Sequence, residues 1–89
     1  MLVKYIKNDL GEYLGCIVAI EKDNQIRLGW SQRNKKDKFE KSRARAIATA
    51  RAELGGTNAR PTEKLRLLFE GEINNMAARA SRYFKDATL

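Results

Sequence analysis

Residues 33–45 hold a high density of positive charge, and this is the first stretch that could carry chemistry. Its cations include Arg33, Lys35, Lys36, Lys38, Lys41 and Arg45. A helix that begins here would place them beside free backbone N–H groups, whose partial positive charge also favours anions. Positive side chains at this end of a helix reduce its stability. Their presence is explained either by an anion-binding site or by a basic face that is simply solvated. We take Lys38, Phe39 and Arg43 as candidate ligand-binding residues.

A second basic cluster lies near the end of the chain and interleaves cations with aromatic residues. It consists of Arg79, Arg82, Tyr83, Phe84 and Lys85. An aromatic ring can stack on a nucleobase while a neighbouring guanidinium contacts phosphate. The alternative is that both rings close the core while the arginines are solvated. Arg79, Arg82 and Tyr83 complete the set of candidate ligand-binding residues.

Catalytic and metal-binding side chains are scarce. The chain has no histidine and one cysteine, which argues against histidine acid–base chemistry, an internal disulfide and a zinc site. Cys16 lies in a very apolar segment, where a thiol packs as a small hydrophobe. The 18 Lys+Arg outnumber the 11 Asp+Glu and give a formal net charge of +7, which favours an anionic partner. We therefore expect a binding module rather than an enzyme, with no metal and no cofactor.

Two kinds of secondary structure must position these groups, because the chain changes character near residue 34. Residues 1–33 hold three runs typical of strands, at about 2–7, 12–22 and 25–31. Asp23 and Asn24 both tolerate positive φ and predict a hairpin between the second and third runs. We predict one domain over residues 1–89, with an α+β fold in which a three-stranded antiparallel meander is followed by two α-helices.

The middle strand is predicted to be apolar on both sides. One side would carry Leu14, Cys16, Val18 and Ile20, and the other Tyr13, Ile17 and Ala19. The chain's own helices can cover one face, but 89 residues supply little to cover the other. Gly15 and Gly29 are isolated strand glycines, which indicate a bulge or a close approach of another backbone.

The first helix is predicted at 37–54. Asp37 and Glu40 fit a capping box, and Gly55-Gly56 fits a left-handed helix end. Helical spacing predicts a core-facing stripe that comprises Phe39, Ala46, Ile47, Ala50 and Leu54. Another face is slim enough for close backbone packing, because it carries only Ala44, Ala48 and Ala52.

The second helix is predicted at 61–87 and opens with Pro61. A helix over 61–85 would be about 37 Å long, whereas a compact chain of this size is about 30 Å across. The helix would therefore bend near Gly71 or reach a partner chain. Together with the two-sided middle strand, this length predicts a homo-oligomer.

Arg43 falls in the middle of the predicted apolar stripe of the first helix. A guanidinium there needs a carboxylate, a cluster of carbonyls or a ligand phosphate to offset its desolvation. Glu72, also near an apolar stripe, is an available internal partner. We expect Arg43 to be more than half buried and paired with one or the other.

Two stretches resemble a pattern found in small phage-encoded proteins. They are Gly29-Trp30-Ser31, Asn34, Asp37-Lys38-Phe39-Glu40-Lys41, Arg45-Ala46-Ile47-Ala48 and Arg51-Ala52, followed by Ala78-Arg79-Ala80 and Arg82-Tyr83-Phe84-Lys85. Some members of that group are anti-Thoeris proteins, which act as oligomeric sponges for cyclic nucleotide immune signals. The resemblance implies a phage anti-defence protein that acts during host takeover in the host cell cytoplasm.

Three functions follow from these features. The first is a counter-defence protein that sequesters a small anionic (cyclic) nucleotide without catalysis. The second is a basic nucleic-acid-binding regulator. The third is a protein–protein inhibitor of a host defence or transcription enzyme, docking through an apolar sheet face or the long helix. No apolar run reaches the roughly 18 residues of a membrane span, and residues 1–7 lack a signal-peptide core. We therefore expect a cytoplasmic protein with no membrane partner.

Overall fold

A computed structural model describes residues 1–34, 36, 38–54 and 66–88, and it has the predicted α+β fold. Three antiparallel strands form one sheet in the order β1-β2-β3, with β1 at Leu2–Lys7, β2 at Tyr13–Lys22 and β3 at Gln25–Gln32. Two helices follow, α1 at Lys41–Glu53 and α2 at Arg66–Tyr83. No helix in the described part of the chain is long and apolar enough to cross a bilayer.

Local turn chemistry explains the meander. Asp23 and Asn24 have φ angles of 53° and 63°, which confirms the predicted hairpin. Between β1 and β2, the Asn8 side-chain oxygen accepts the backbone N–H groups of Leu10 and Glu12, each at 2.9 Å. Gly11 in the same turn has a φ of 79°, a conformation that glycine adopts without strain.

The two helices cover opposite faces of the sheet, so the apolar middle strand is buried within a single chain. On the α2 side, Ile17 and Ala19 of β2 pack with Phe69, Met76 and Ala80 of α2. On the α1 side, Cys16 and Val18 pack with Ala44, Ala48 and Ala52. The expectation that one face would lack a cover is therefore wrong, because each helix covers one face.

A bulge in β2 reverses the faces that were predicted for its first two residues. Ile6 pairs with Gly15 and Lys7 with Tyr13, so Leu14 is an extra residue in the ladder. One extra residue moves the preceding side chains to the other face. Leu14 packs on the α2 side, while Tyr13 stacks on Phe39, which packs on the α1 side.

The face of α1 that meets the sheet is the slim one. A Cβ built on Gly29 would overlap the Ala48 carbonyl oxygen and lie 2.5 Å from the Ala52 nitrogen, so the helix backbone lies directly on β3. Only small residues fit such a contact, which is why the buried face of α1 consists of Ala44, Ala48 and Ala52. The predicted core-facing stripe is therefore wrong: Ala46, Ile47, Ala50 and Leu54 are exposed.

The ends of α1 also differ from the prediction. The helix begins at Lys41 and not at residue 37, because Glu40 is its N-cap with extended backbone (φ −122°, ψ 117°) and makes no side-chain cap. Asp37, Gly55 and Gly56, on which the predicted caps rest, lie outside the described residues. At its other end, the Glu53 carbonyl oxygen accepts hydrogen bonds from Lys22 at 3.4 Å and Arg27 at 3.2 Å.

The second helix ends at Tyr83, four residues earlier than predicted. The chain turns after Phe84, and Thr88 forms a parallel bridge with Gln25 of β3. The tail therefore returns to the sheet and does not extend the helix. The described part of α2 is about 27 Å long, and it continues through Gly71. Residues 61–65, where the predicted start lies, are outside the described residues.

Candidate anion-binding site

The six candidate residues do not form one site within a chain. Lys38, Phe39 and Arg43 line a single cleft where β3 leads into α1. Arg79 lines a separate groove on the α2 side, and Arg82 and Tyr83 are exposed at the end of α2. Because the two helices lie on opposite faces of the sheet, the two basic clusters are separated by the sheet.

The cleft has a volume of about 100 Å³ and is mainly cationic. Arg33, Lys38 and Arg43 contribute three positive charges, against one carboxylate from Glu40. Phe39, Ala44 and Ile47 supply apolar walls, and the remaining lining residues are Ser31, Gln32 and Asn34. This combination suits an anionic group attached to an apolar or aromatic body.

Backbone and buried contacts hold the cleft in shape. The Arg33 N–H donates to the Leu14 carbonyl at 2.7 Å, which extends the pairing of β3 into the cleft wall. The buried Ser31 hydroxyl donates to the Ala44 carbonyl at 2.9 Å, so strand and helix are joined at the base of the cleft. The first turn of α1 has neither a side-chain cap nor an acidic residue, and its N–H groups add partial positive charge.

Arg43 is exposed, and the expected buried pair with Glu72 is wrong. Arg43 lines the cleft on the α1 side, whereas Glu72 lines the groove on the α2 side. The cause is the orientation of α1, which turns its alanine face to the sheet and the stripe with Arg43 to solvent. Among the residues that the structure describes, the Arg43 side chain makes no hydrogen bond or ion pair.

In the basic cluster near the end of α2, one aromatic ring packs on the core and the other is exposed, so each of the two interpretations of its sequence fits one ring. Phe84 is half-buried against the core, as the structural alternative requires, while Tyr83 is 64% exposed. Their rings are perpendicular, with centroids 4.9 Å apart. Arg79 shares a groove of about 290 Å³ with Lys4, Glu72, Asn75 and Met76. That groove pairs two cations with a carboxylate, so it is less selective for anions than the α1 cleft.

Aromatic residues and lysines form a group beside the cleft, and the sequence did not predict that they would come together. The Tyr13 and Phe39 rings stack with centroids 5.1 Å apart, and Tyr5 meets both edge-on. Lys7 and Lys41 approach the Tyr13 ring at 4.7 and 4.8 Å from its centroid. Strict alternation along β2 hid this group, because only the bulge brings Tyr13 to the face of Tyr5 and Lys7. An isolated Gly15 was the one available signal.

The Cys16 thiol, the one cysteine side chain of the protein, has limited chemical reactivity. Burial raises the pKa of the Cys16 thiol to about 11, although the nearby Arg45 opposes this. Within the described ranges, no three His, Cys, Asp or Glu residues come together in a way that could hold a metal ion.

Comparisons with known proteins add no relative: no family model, curated protein or solved structure matches this chain. The site must therefore be interpreted from its own geometry.

Proposed function

We propose that this protein binds a small anionic nucleotide in the α1 cleft and releases it chemically unchanged. In the phage counter-defence role that the sequence resemblance implies, the ligand would be a cyclic nucleotide signal and the binding would sequester it. The proposal rests on one observation. Lys38, Phe39 and Arg43, which were chosen as ligand-binding candidates from the sequence, line one cleft together with Arg33.

The charges of the cleft support a phosphate-bearing ligand. Arg43 has no partner among the described residues, so its guanidinium is available for a charge-assisted hydrogen bond. The uncapped start of α1 lies beside it and favours the same sign of ligand charge. Phe39 offers an apolar surface in the same cleft, which suits a base or ribose.

The small size of the cleft supports a ligand that is only partly enclosed by one chain. Pockets for small molecules usually measure about 300–1,000 Å³, and this cleft measures about 100 Å³. A phosphate and part of its sugar would lie inside, and the rest would lie over Ile47 and the outer face of α1. A second copy on that face would complete the enclosure, so we keep the homo-oligomer as part of the proposal.

Isothermal titration calorimetry with mono-, di- and cyclic nucleotides tests the proposal. Arg43→Ala and Lys38→Ala should each weaken binding by about ten- to a hundredfold, because each removes a hydrogen bond between charged groups. Lys22→Gln removes one positive charge at the opposite end of α1 and should leave the affinity within about twofold.

The same set of variants can contradict the proposal. Unchanged affinity in Arg43→Ala and Lys38→Ala, with loss in Arg79→Ala and Arg82→Ala, would move the site to α2. Native mass spectrometry after incubation with a nucleotide extract would identify a retained ligand and the subunit count together. Absence of any nucleotide binding would leave the other two functions.

Nucleic-acid binding is the second candidate, and the lysines beyond the cleft favour it. Lys7 and Lys41 extend the positive surface past Phe39, as a polyanion would require. Micromolar or tighter duplex DNA binding with a steep salt dependence, and no binding of free nucleotides, would establish this function instead. The protein-inhibitor hypothesis loses its apolar sheet face, because both faces are covered, and retains the long helix α2 as its docking element.

A further inference from the structure

Lys7, Tyr13 and Lys41 form a compact group on the α1 side of the sheet, which we call the Tyr13 cluster. Its two ammonium nitrogens lie 4.7 and 4.8 Å from the centroid of the Tyr13 ring. Lys41 also lies 5.2 Å from the Tyr5 ring centroid. The members come from β1, β2 and the first residue of α1, so the cluster exists only in the folded chain.

The fold gives the cluster a defined geometry. The bulge in β2 pairs Tyr13 directly with Lys7 across the strands. Phe39 stacks on the Tyr13 ring at an interplanar angle of 16°, and Tyr5 meets both rings edge-on. The Tyr5 hydroxyl donates to the Lys41 carbonyl at 3.5 Å, which relates the start of α1 to the sheet. Three packed rings therefore fix the position of the phenol that both lysines approach.

The cluster has an excess of positive charge. Its two ammonium groups lie less than about 10 Å apart, because both are close to the same ring, and this upper bound is comparable with the screening length of about 8 Å in physiological salt. Neither forms an ion pair with a carboxylate of the described residues. The acidic residues nearest to the cluster along the chain are Asp9, Glu12 and Glu40. Glu12 accepts a hydrogen bond from the Asn8 side chain at 3.1 Å, and Glu40 lines the cleft.

We propose that the Tyr13 cluster binds a phosphate-type dianion, either free phosphate or the phosphate of an ester. Both ammonium groups can donate to phosphate oxygens, and the neutral Tyr13 hydroxyl supplies a further donor. A dianion neutralises both lysines at once, whereas a single carboxylate would neutralise one.

The titration behaviour of Tyr13 supports this assignment. Hydrogen bonding from Lys41 and the charges of Lys41 and Lys7 lower the pKa of the Tyr13 phenol, although desolvation opposes this. The pKa of Lys41 is raised by the same hydrogen bond to Tyr13. The phenol therefore already senses a positive field that stabilises negative charge at this position.

This site does not depend on the nucleotide proposed for the α1 cleft, although Phe39 touches both. Phe39 lines the cleft and stacks on Tyr13, so one ligand with two phosphates could reach both sites. A free phosphate could equally occupy the Tyr13 cluster alone. Both sources share the same recognition chemistry, and the experiment below separates them.

The test follows Tyr13 by its phenolate absorbance during an alkaline titration of the full chain. Inorganic phosphate should raise the apparent pKa of Tyr13, because a bound anion cancels the field that favours the phenolate. Potassium chloride at the same ionic strength should raise it less. Tyr13→Phe should remove the lowest-pKa tyrosine component and so confirm the assignment of the signal.

Calorimetry with inorganic phosphate near neutral pH gives the affinity directly. Lys41→Met and Lys7→Met should each weaken phosphate binding by about tenfold or more, whereas Lys22→Met, a matched control at the opposite end of α1, should not. If chloride shifts Tyr13 as strongly as phosphate, or if both cluster variants bind phosphate as the unchanged chain does, the proposal is overturned.

A nucleoside monophosphate distinguishes the two sources of phosphate. Equal affinities for inorganic phosphate and the nucleotide, both lost in Lys41→Met, support a site for free phosphate. Tighter nucleotide binding that falls in both Lys41→Met and Arg43→Ala supports an ester that spans the cluster and the cleft. Phosphate binding that survives Arg43→Ala, in a chain that binds no nucleotide, supports the Tyr13 cluster while contradicting the function proposed for the cleft.

Discussion

Cys16 lies at the centre of β2, fully buried beneath the alanine face of α1. A thiol in this position has no water to stabilise its thiolate, so its pKa rises to about 11. Only the thiolate reacts readily with disulfide reagents. Cys16 is therefore a structural residue whose reactivity reports on opening of the α1–sheet contact.

We predict that Cys16 reacts with a soluble disulfide reagent on the order of a hundredfold more slowly in the native chain than in urea, near pH 8. The protonated thiol stabilises the fold below its unfolded pKa of about 8.5, and this contribution is lost as the pH rises towards the folded value. Stopped-flow labelling measures the rate. Equal labelling rates in buffer and in urea would show that α1 does not cover Cys16.

Gly29 and Gly71 provide a matched pair with opposite expected effects. An alanine Cβ at Gly29 would meet the backbone of α1, which cannot move without shifting the helix, so Gly29→Ala should destabilise the fold by about 3 kcal/mol. Gly71 lies in α2, and a Cβ added there would have no atom within 4 Å, so Gly71→Ala should stabilise the fold by about 1 kcal/mol. Urea unfolding measures both changes. A neutral Gly29→Ala would contradict the direct contact between α1 and β3.

Among the secondary-structure elements, α1 is the one whose buried face was not predicted from the sequence. Its larger apolar residues predicted a core-facing stripe, but burial followed the shape of the partner strand. Gly29 opposite a row of alanines lets two backbones meet, and this contact excludes Ile47 and Leu54 from the sheet. The strands and α2 were predictable, because their apolar residues repeat at two or at three and four positions and the Asp23-Asn24 turn fixes the hairpin.

Part of the candidate site was predictable for similar reasons. Residue types alone marked Lys38, Phe39 and Arg43, and they meet because all three lie at the start of one helix. The meeting of Tyr13, Lys7 and Lys41 was not predicted, since it depends on a one-residue bulge and on strand register. The supposed Arg43–Glu72 contact failed because the second apolar face of β2 was assigned to a partner chain, whereas one helix of the same chain covers each face.

An oligomer was predicted from the two apolar faces of β2 and from the length of the second helix, and the fold of a single chain explains both features. Two helices cover the two faces of β2, and the tail after Tyr83 returns to β3 by way of Thr88. The oligomer that we propose for the cleft would use the outer stripe of α1, where Leu54 is 84% exposed and Ile47 is 37% exposed. This stripe adjoins the cleft, since Ile47 lines both.

We predict that Ile47→Glu together with Leu54→Glu converts an oligomer to a folded monomer in sedimentation velocity. Ala78→Glu on an exposed position of α2 is the control and should leave the oligomer intact. By contrast, Ile17→Asp and Met76→Asp should unfold the chain, because these side chains are 0% and 3% exposed. A monomeric unsubstituted chain at tens of micromolar, about the range of weak self-association, would contradict the prediction.

With both faces of the sheet covered, its exposed parts are the backbone edges of the two outer strands, β1 and β3, of which β3 also pairs with the tail at Gln25. β1 pairs only with β2 in the described residues, so its other side presents N–H and C=O groups that could accept a strand from another chain. Lys4 projects towards the α2 side and Lys7 towards the α1 side, and both are exposed. Each face of this edge therefore carries an ammonium group that would repel the same edge of a second molecule, so Lys7 protects the sheet from edge-to-edge aggregation as well as lying beside Tyr13.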